Sequence, residues 1–375
     1  MKRMTVIVIC LCILLCGCGS WTDGYYVSVK PHTSQQQQTG QQIRQVENYT
    51  QLRIALAEMI EAGTEAAVFS VEKMTQTSVK SNMDLAIRYV TTRNPVGAYA
   101  VDTITYEVGT SSGKPALAIT ATYIHNRAEI RAIKETEDMD TAKSIIYQAL
   151  DNCNESLVLR IGRYNELDFA QLVKDYADEH PESVMEQPQV AVSIYPENGN
   201  DRVVELKFHY QTSRDSLRSM QSRVQMVFMS AELYVRGEAS DREKYSQLYS
   251  FLMERYDYQL DTSITPAYSL LHHGVGDSKA FAVVYASMCR KAGLECVAVP
   301  GTRDGEPWFW NIVCDEGVYY HVDLLRSSKN GKLRLRGDGD MDGYVWDYSA
   351  YPACGVEPEP KETTVSTIPA QTSEE

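Results

Sequence analysis

The sequence predicts an α+β protein, a C-terminal core preceded by a tandem α+β repeat. Three observations carry that prediction. The first is the run from Gly274 to Asp323. It reads as a helix closing at Lys291-Ala292-Gly293, a short apolar strand, then two strands about a tight turn. The second is a pair of similar units, each of about ninety residues, between residues 46 and 236. The third is turn chemistry: Glu197-Asn198-Gly199 and Asp315-Glu316-Gly317 each sit between strand-like runs.

The chain has 375 residues, 43% of them hydrophobic, enough for two or three units with their own cores. Lys2 and Arg3 precede an apolar run, Val6 to Leu15, that is too short to span a bilayer and suits a secretory leader. The run ends in Leu15-Cys16-Gly17-Cys18, which resembles a bacterial lipoprotein processing box. That resemblance implies a signal peptide over residues 1–17 and a lipid such as palmitate on Cys18. The chain would then be anchored at the extracellular face of the cell membrane without spanning it. Residues 18–45, with Gln35 to Gln38 and Gln41-Gln42, read as a flexible tether. Residues 356–375, rich in Pro, Glu, Ser and Thr, read as a disordered tail.

Between tether and core, residues 46–236 form the N-terminal α+β region. In the first copy, Leu52 to Ile60 is an amphipathic helix and Glu65 to Val71 a strand. Val79 to Val90 is a second helix, and Ala100 to Tyr106 pairs with Ala116 to Tyr123 about Ser111-Ser112-Gly113. The second copy runs Ala142 to Leu150, Glu155 to Ile161 and Asp168 to Asp178, then a hairpin of Gln189 to Tyr195 with Arg202 to Tyr210. The second helix of each copy stops at Asn94-Pro95 or His180-Pro181, because the residue before proline avoids the helical region. Arg214 to Val235 is a long helical run. Asp241 to Tyr258 is another, with Tyr245, Leu248, Tyr249, Leu252 and Tyr256 at helical spacing, read as core.

Residues 237–355 then show a specific layout. Ser278 opens a helix and is followed by Phe281-Ala282. The helix closes at Gly293-Leu294, and strands bearing Trp310-Asn311 and Tyr320-His321-Val322-Asp323 follow. This resembles the transglutaminase-like (papain-like) superfamily. The resemblance implies a Cys at the helix start, a His two residues before the Trp-Asn pair, and the Asp at the end of the last strand. Here the Cys position holds Ser278 and the His position holds Trp308; only Asp323 matches. A thiol at a helix N-terminus is activated by the dipole and a neighbouring imidazole. A serine hydroxyl needs a general base, and an indole has none to offer. The resemblance therefore implies a degenerate, non-catalytic domain. Ser278 reads equally as a helix cap beside Asp277, and Trp308 as a strand aromatic. In place of the imidazole, the indole is expected to cover Ser278 or to wall the cleft, with its N–H on Asp323.

Three functions follow from this reading. One is a binding module for a cell-wall peptide, a glycan or an envelope protein, with Trp308, Phe309, Trp310 and Tyr320 supplying flat apolar surface. The second is an amidase or peptidase in which Ser278 works with a nonstandard base. His321, two residues before Asp323 and so on the same strand face, is the candidate. The third is an envelope scaffold without a small ligand. Nucleic acid is a poor partner: the formal charge is −14, or −16 once the leader takes Lys2 and Arg3 away. No cofactor or metal is expected. Asp338-Gly339-Asp340-Met341-Asp342 imitates the start of a calcium loop, but Ser349 stands where a bidentate Glu is needed. His272 and His273 read as surface loop residues. Cys153, Cys289, Cys296, Cys314 and Cys354 have no metal-type spacing and read as buried free thiols; neither Cys289 nor Cys314 lies at a helix start.

Overall fold

The computed structural model describes residues 43–260, 264–328 and 332–356. The leader, Cys18, nearly all of the tether and the tail beyond 356 lie outside the described residues.

Two α+β sheets come first. In the first sheet β1 (Arg44–Gln45) runs parallel to β2 (Ala66–Ser70). β2 pairs antiparallel with β4 (Lys114–Tyr123), which forms a hairpin with β3 (Val101–Ser111). Helices α1 (Tyr49–Glu61) and α2 (Gln76–Thr92) connect these strands. Their apolar stripes, Leu52, Leu56 and Ile60 with Val79, Met83 and Val90, close over Phe69, Leu117 and Ile119. At Asn94-Pro95 the chain starts another helix at once. Asn94 accepts from the Gly97 N–H at 2.7 Å and Pro95 opens α3 (Pro95–Ala100), since proline has no amide hydrogen to lose at that position.

A short helix α4 (Arg127–Arg131) leads into the second sheet. There β5 (Lys134–Asp138) is parallel to β6 (Ser156–Arg163), which pairs with β8 (Arg202–His209), which pairs with β7 (Gln189–Tyr195). Helices α5 (Met139–Asp151) and α6 (Phe169–Glu179) cover it. The two sheets share one strand order and one set of strand directions.

The third part is built on one buried helix. α7 (Arg214–Tyr234) and α8 (Asp241–Met253) pack against α9 (Ser278–Lys291), whose residues from Ala280 to Cys289 are all buried. α9 lies on a sheet of order β13–β12–β11–β14: β11 (Cys296–Arg303), β12 (Glu306–Asp315), β13 (Val318–Val322) and β14 (Tyr344–Val345), all antiparallel. Asn311 of β12 reaches across to the Ala282 carbonyl of α9 at 2.8 Å, fixing helix to sheet. Tyr245 of α8 donates to the Glu295 carbonyl at 2.6 Å, and Tyr285 of α9 donates to the Tyr245 carbonyl at 2.9 Å.

One helix is shorter than its sequence pattern. α8 ends at Met253 rather than Tyr258, so Tyr256 lies beyond it. Asp257–Tyr258 is β9 and pairs in parallel with β10 (Val275–Gly276). That pairing is tertiary, and periodicity carries no sign of it. His272 and His273 close a π-type segment, Ser269–His273, rather than sitting in a loop; both are exposed. The five described cysteines are free, and all but the half-buried Cys314 are buried. Among the described residues no helix is long and apolar enough to cross a membrane.

Candidate functional site

The start of α9 is capped by Asp277, whose carboxylate accepts from the Ala280 N–H at 2.8 Å. Ser278 is thus the first helical residue and not the cap. Its hydroxyl oxygen accepts from the Phe309 N–H at 3.2 Å. Phe309 lies two residues past the last β12–β13 pair, Asn311 with Val322, so the hydroxyl takes up an amide beyond the end of the ladder.

Side chains alternate along β12, and this decides where each candidate points. Asn311 and Val313 face α9, while Trp310 and Ile312 face a second core built from Val299, Met341, Tyr344 and Trp346. Trp310 is only 1% exposed, so the expectation that it offers a binding surface is withdrawn. The cause is the irregular segment 338–354, which covers that face of the sheet. Trp308, at the margin of this core, is half-buried. It lies 5.6 Å from the Tyr258 ring and has the Arg303 guanidinium 5.1 Å above it. Phe309 is half-buried under the Lys279 ammonium at 5.7 Å, and Tyr320 packs on the edge of the α9 core.

Asp323 is 1% exposed and heavily used. Trp308 Nε1 donates to its Oδ2 at 3.0 Å, and the Tyr344 hydroxyl donates to the same oxygen. Oδ1 accepts from the Arg326 N–H at 3.0 Å, and Arg303 Nη1 stands 3.6 Å from Oδ2. A buried carboxylate is tolerable only with such compensation. Burial and the Asp323 charge push the Tyr344 phenol upward, so it stays a donor. Sequence spacing did not reveal Arg303, Tyr344 or Tyr258 as neighbours of the site, because each arrives from another element.

His321 does not occupy the place expected of a base for Ser278. The chain leaves β13 after Val322 and Asp323 leads into α10 (Leu324–Ser328), so strand alternation does not carry His321 to the Asp323 side. The imidazole is fully buried between Trp310 and Asp338. Trp310 Nε1 donates to Nδ1 at 3.0 Å, and Nε2 lies 2.9 Å from Asp338 Oδ1. An indole nitrogen can only donate, so Nδ1 is the acceptor and Nε2 carries the proton. The same assignment bears on metal binding. A ring nitrogen of His321, an Asp338 carboxylate oxygen and Cys354 Sγ lie within 4.8 Å of one another, and Nε2 is the nitrogen that faces Asp338. A metal ligand nitrogen needs a free lone pair, and here that nitrogen is a proton donor. Burial pushes the Cys354 thiol up to about 12, further from the thiolate a metal needs. Asp338 also accepts from the Cys354 N–H and Asp340 from the Gly337 N–H, so both are spent on local structure.

Burial holds His321 below its ordinary pKa, partly offset by Asp338. The folded state thus prefers the neutral ring. Its stability contribution is full above the unfolded value near 6.5 and is lost as pH falls below it toward the depressed folded value. Urea midpoints at neutral and acidic pH should therefore separate more for the wild type than for His321→Gln, whose amide can accept from Trp310 and donate to Asp338. Equal pH dependence in the two proteins would show that His321 protonation is not coupled to folding.

Residues 229–329 match the family model of the transglutaminase-like superfamily. The C-terminal part of this mixed α+β chain is thus a transglutaminase-like domain. Among solved structures, a TGase is 13% identical, with a TM-score of 0.26 over 58% of this chain and 63% of that one. A candidate protease from Parabacteroides distasonis is 8% identical, with a TM-score of 0.23 over 59% and 35% of the two chains. A candidate cysteine protease from Cytophaga hutchinsonii is 14% identical, with a TM-score of 0.23 over 42% and 70%. The chain spans 63% of the TGase. No curated protein matches the sequence.

Proposed function

We propose that this chain is a lipid-anchored protein of the outer face of a bacterial membrane. Its transglutaminase-like domain has given up catalysis and binds a peptide, glycan or protein of the cell envelope. The observation that carries the reading is the pairing at position 308. Where a catalytic domain needs an imidazole on the aspartate, an indole donates to Asp323 at 3.0 Å. Ser278, meanwhile, accepts a backbone N–H from Phe309. Neither contact prepares a proton transfer from the serine. Activation by His321 finds no support, since both ring nitrogens are engaged elsewhere.

The test is turnover of a glutamine-containing peptide, with and without an amine acceptor, by wild type and Ser278→Ala. Both should sit at background; wild-type turnover that the alanine stops would overturn the proposal. The anchor is tested separately. Growth with a fatty-acid analogue should label the wild type and leave Cys18→Ala unlabelled. Label retained in the variant would refute lipidation at Cys18.

A further inference from the structure

The surroundings of Tyr344 hold more positive charge than the described residues neutralise. Arg303 and Arg326 place their guanidinium carbons 5.6 and 5.5 Å from the Tyr344 ring centroid. Arg336 is 8% exposed, and its backbone pairs with that of His321. Arg303 has Asp323 at 3.6 Å and the exposed Asp304 at 3.7 Å. Arg326 and Arg336 have no such partner: among the described residues neither lies in ion-pair range of a carboxylate. Arg326 Nη1 and Arg336 Nη1 are both buried, and among the described residues neither has a hydrogen-bond acceptor.

Arginine cannot shed its charge in a protein, so the imbalance has no acid–base escape. Burial first, then the neighbouring Arg326, pushes the Arg336 pKa down; Tyr344 and Asp323 offset this only in part. An uncompensated buried cation is among the costlier features a fold can carry. Asp323 is not available to relieve it, because its two oxygens already receive Trp308, Tyr344 and the Arg326 N–H. The chain as a whole carries −14, so this pocket of positive charge runs against the balance of the molecule.

We infer that Arg326 and Arg336, with Arg303 at the rim, form a binding site for an oxyanion, a carboxylate or a phosphate group. A water molecule could accept the orphan N–H groups but would leave the charge unmet. A planar guanidinium matches two oxygens of an oxyanion at once. Arg326 is half-buried and Arg334, which also acts on Arg336, is exposed, so the cluster reaches the surface. Ser278 takes no part, and the inference stands apart from the reading of its cleft.

The experiment is thermal melting of the full chain in sodium phosphate, in sodium acetate and in sodium chloride at matched ionic strength. At roughly tenfold excess over the dissociation constant, the bound anion should raise the wild-type Tm by about 3 °C beyond chloride. Arg326→Met and Arg336→Met should each lose that excess, while Arg223→Met, on α7, should keep it. Arg326 is half-buried, so its variant preserves the test if Arg336→Met does not fold. An excess with acetate alone assigns a carboxylate ligand, and an excess with phosphate, with or without acetate, assigns a site that accepts phosphate. The inference is overturned if neither anion exceeds chloride, or if Arg326→Met retains the full excess.

Discussion

Trp310→Ala should destabilise the C-terminal domain more than a change at Ser278 or Trp308, with a loss of about 3–5 kcal/mol from the cavity alone. The indole is 1% exposed and meets Tyr344 and Trp346 edge-on, at centroid distances of 5.2 and 5.7 Å. Its far edge lies over Gly301, where an added Cβ would fall 2.6 Å from the ring, so β11 gives up a side chain to admit it. Loss of the indole N–H also strands His321 Nδ1 in a dry site, an additional cost of about 1–3 kcal/mol. Trp310→Phe separates the two terms, since it keeps most of the ring and removes only the donor. Urea unfolding of the three proteins checks this. Trp310→Ala should lose the most and Trp310→Phe an intermediate amount. A loss below about 1 kcal/mol for the alanine would show that segment 338–354 does not seal this face.

The same residue shows where the sequence stopped being informative. α9 was legible because its signals are local: Asp277 and Ser278 at one end and Gly293, at φ +75°, at the other. The β12–β13 hairpin was legible from Glu316-Gly317, both at positive φ. The contact between Trp308 and Asp323 was legible from donor and acceptor inventory, since an indole N–H can only donate and a carboxylate only accept. Trp310 was misread because what buries it is almost without regular structure. Met341 and Trp346 lie outside regular strands and leave no periodic trace. His321 departs from its expected place because Asp323 lies one residue past the end of β13, where strand alternation no longer holds. Arg303 carries no local signal because β11 ends at it, past the apolar residues that mark the strand. In each case the missing information was a partner distant in sequence.

Ser278→Cys combined with Trp308→His should create a reactive thiol, and neither change alone should do so. Ser278→Cys alone places a thiol at the start of α9, favoured by the helix dipole but 7% exposed and without a base. Trp308→His supplies an imidazole whose Nδ1–H can donate to Asp323, the contact the indole now makes. An imidazole is smaller than the indole that now packs beside Tyr258 and Arg303, and pairing requires its other nitrogen to turn toward position 278. A thiolate–imidazolium pair would then lower the thiol pKa by several units. The measurement is the rate of alkylation by iodoacetamide at about pH 6, where an ordinary thiol is almost wholly protonated. Background is low among the described thiols, because burial holds Cys153, Cys289, Cys314 and Cys354 above the ordinary range and Cys296 is buried from the reagent. The double variant should react about 10- to 100-fold faster than Ser278→Cys, the gain being tempered by the weaker nucleophilicity of a low-pKa thiolate. Equal rates would mean that the imidazole does not reach the thiol. The placement of β12 against α9 would then hold positions 278 and 308 too far apart to pair.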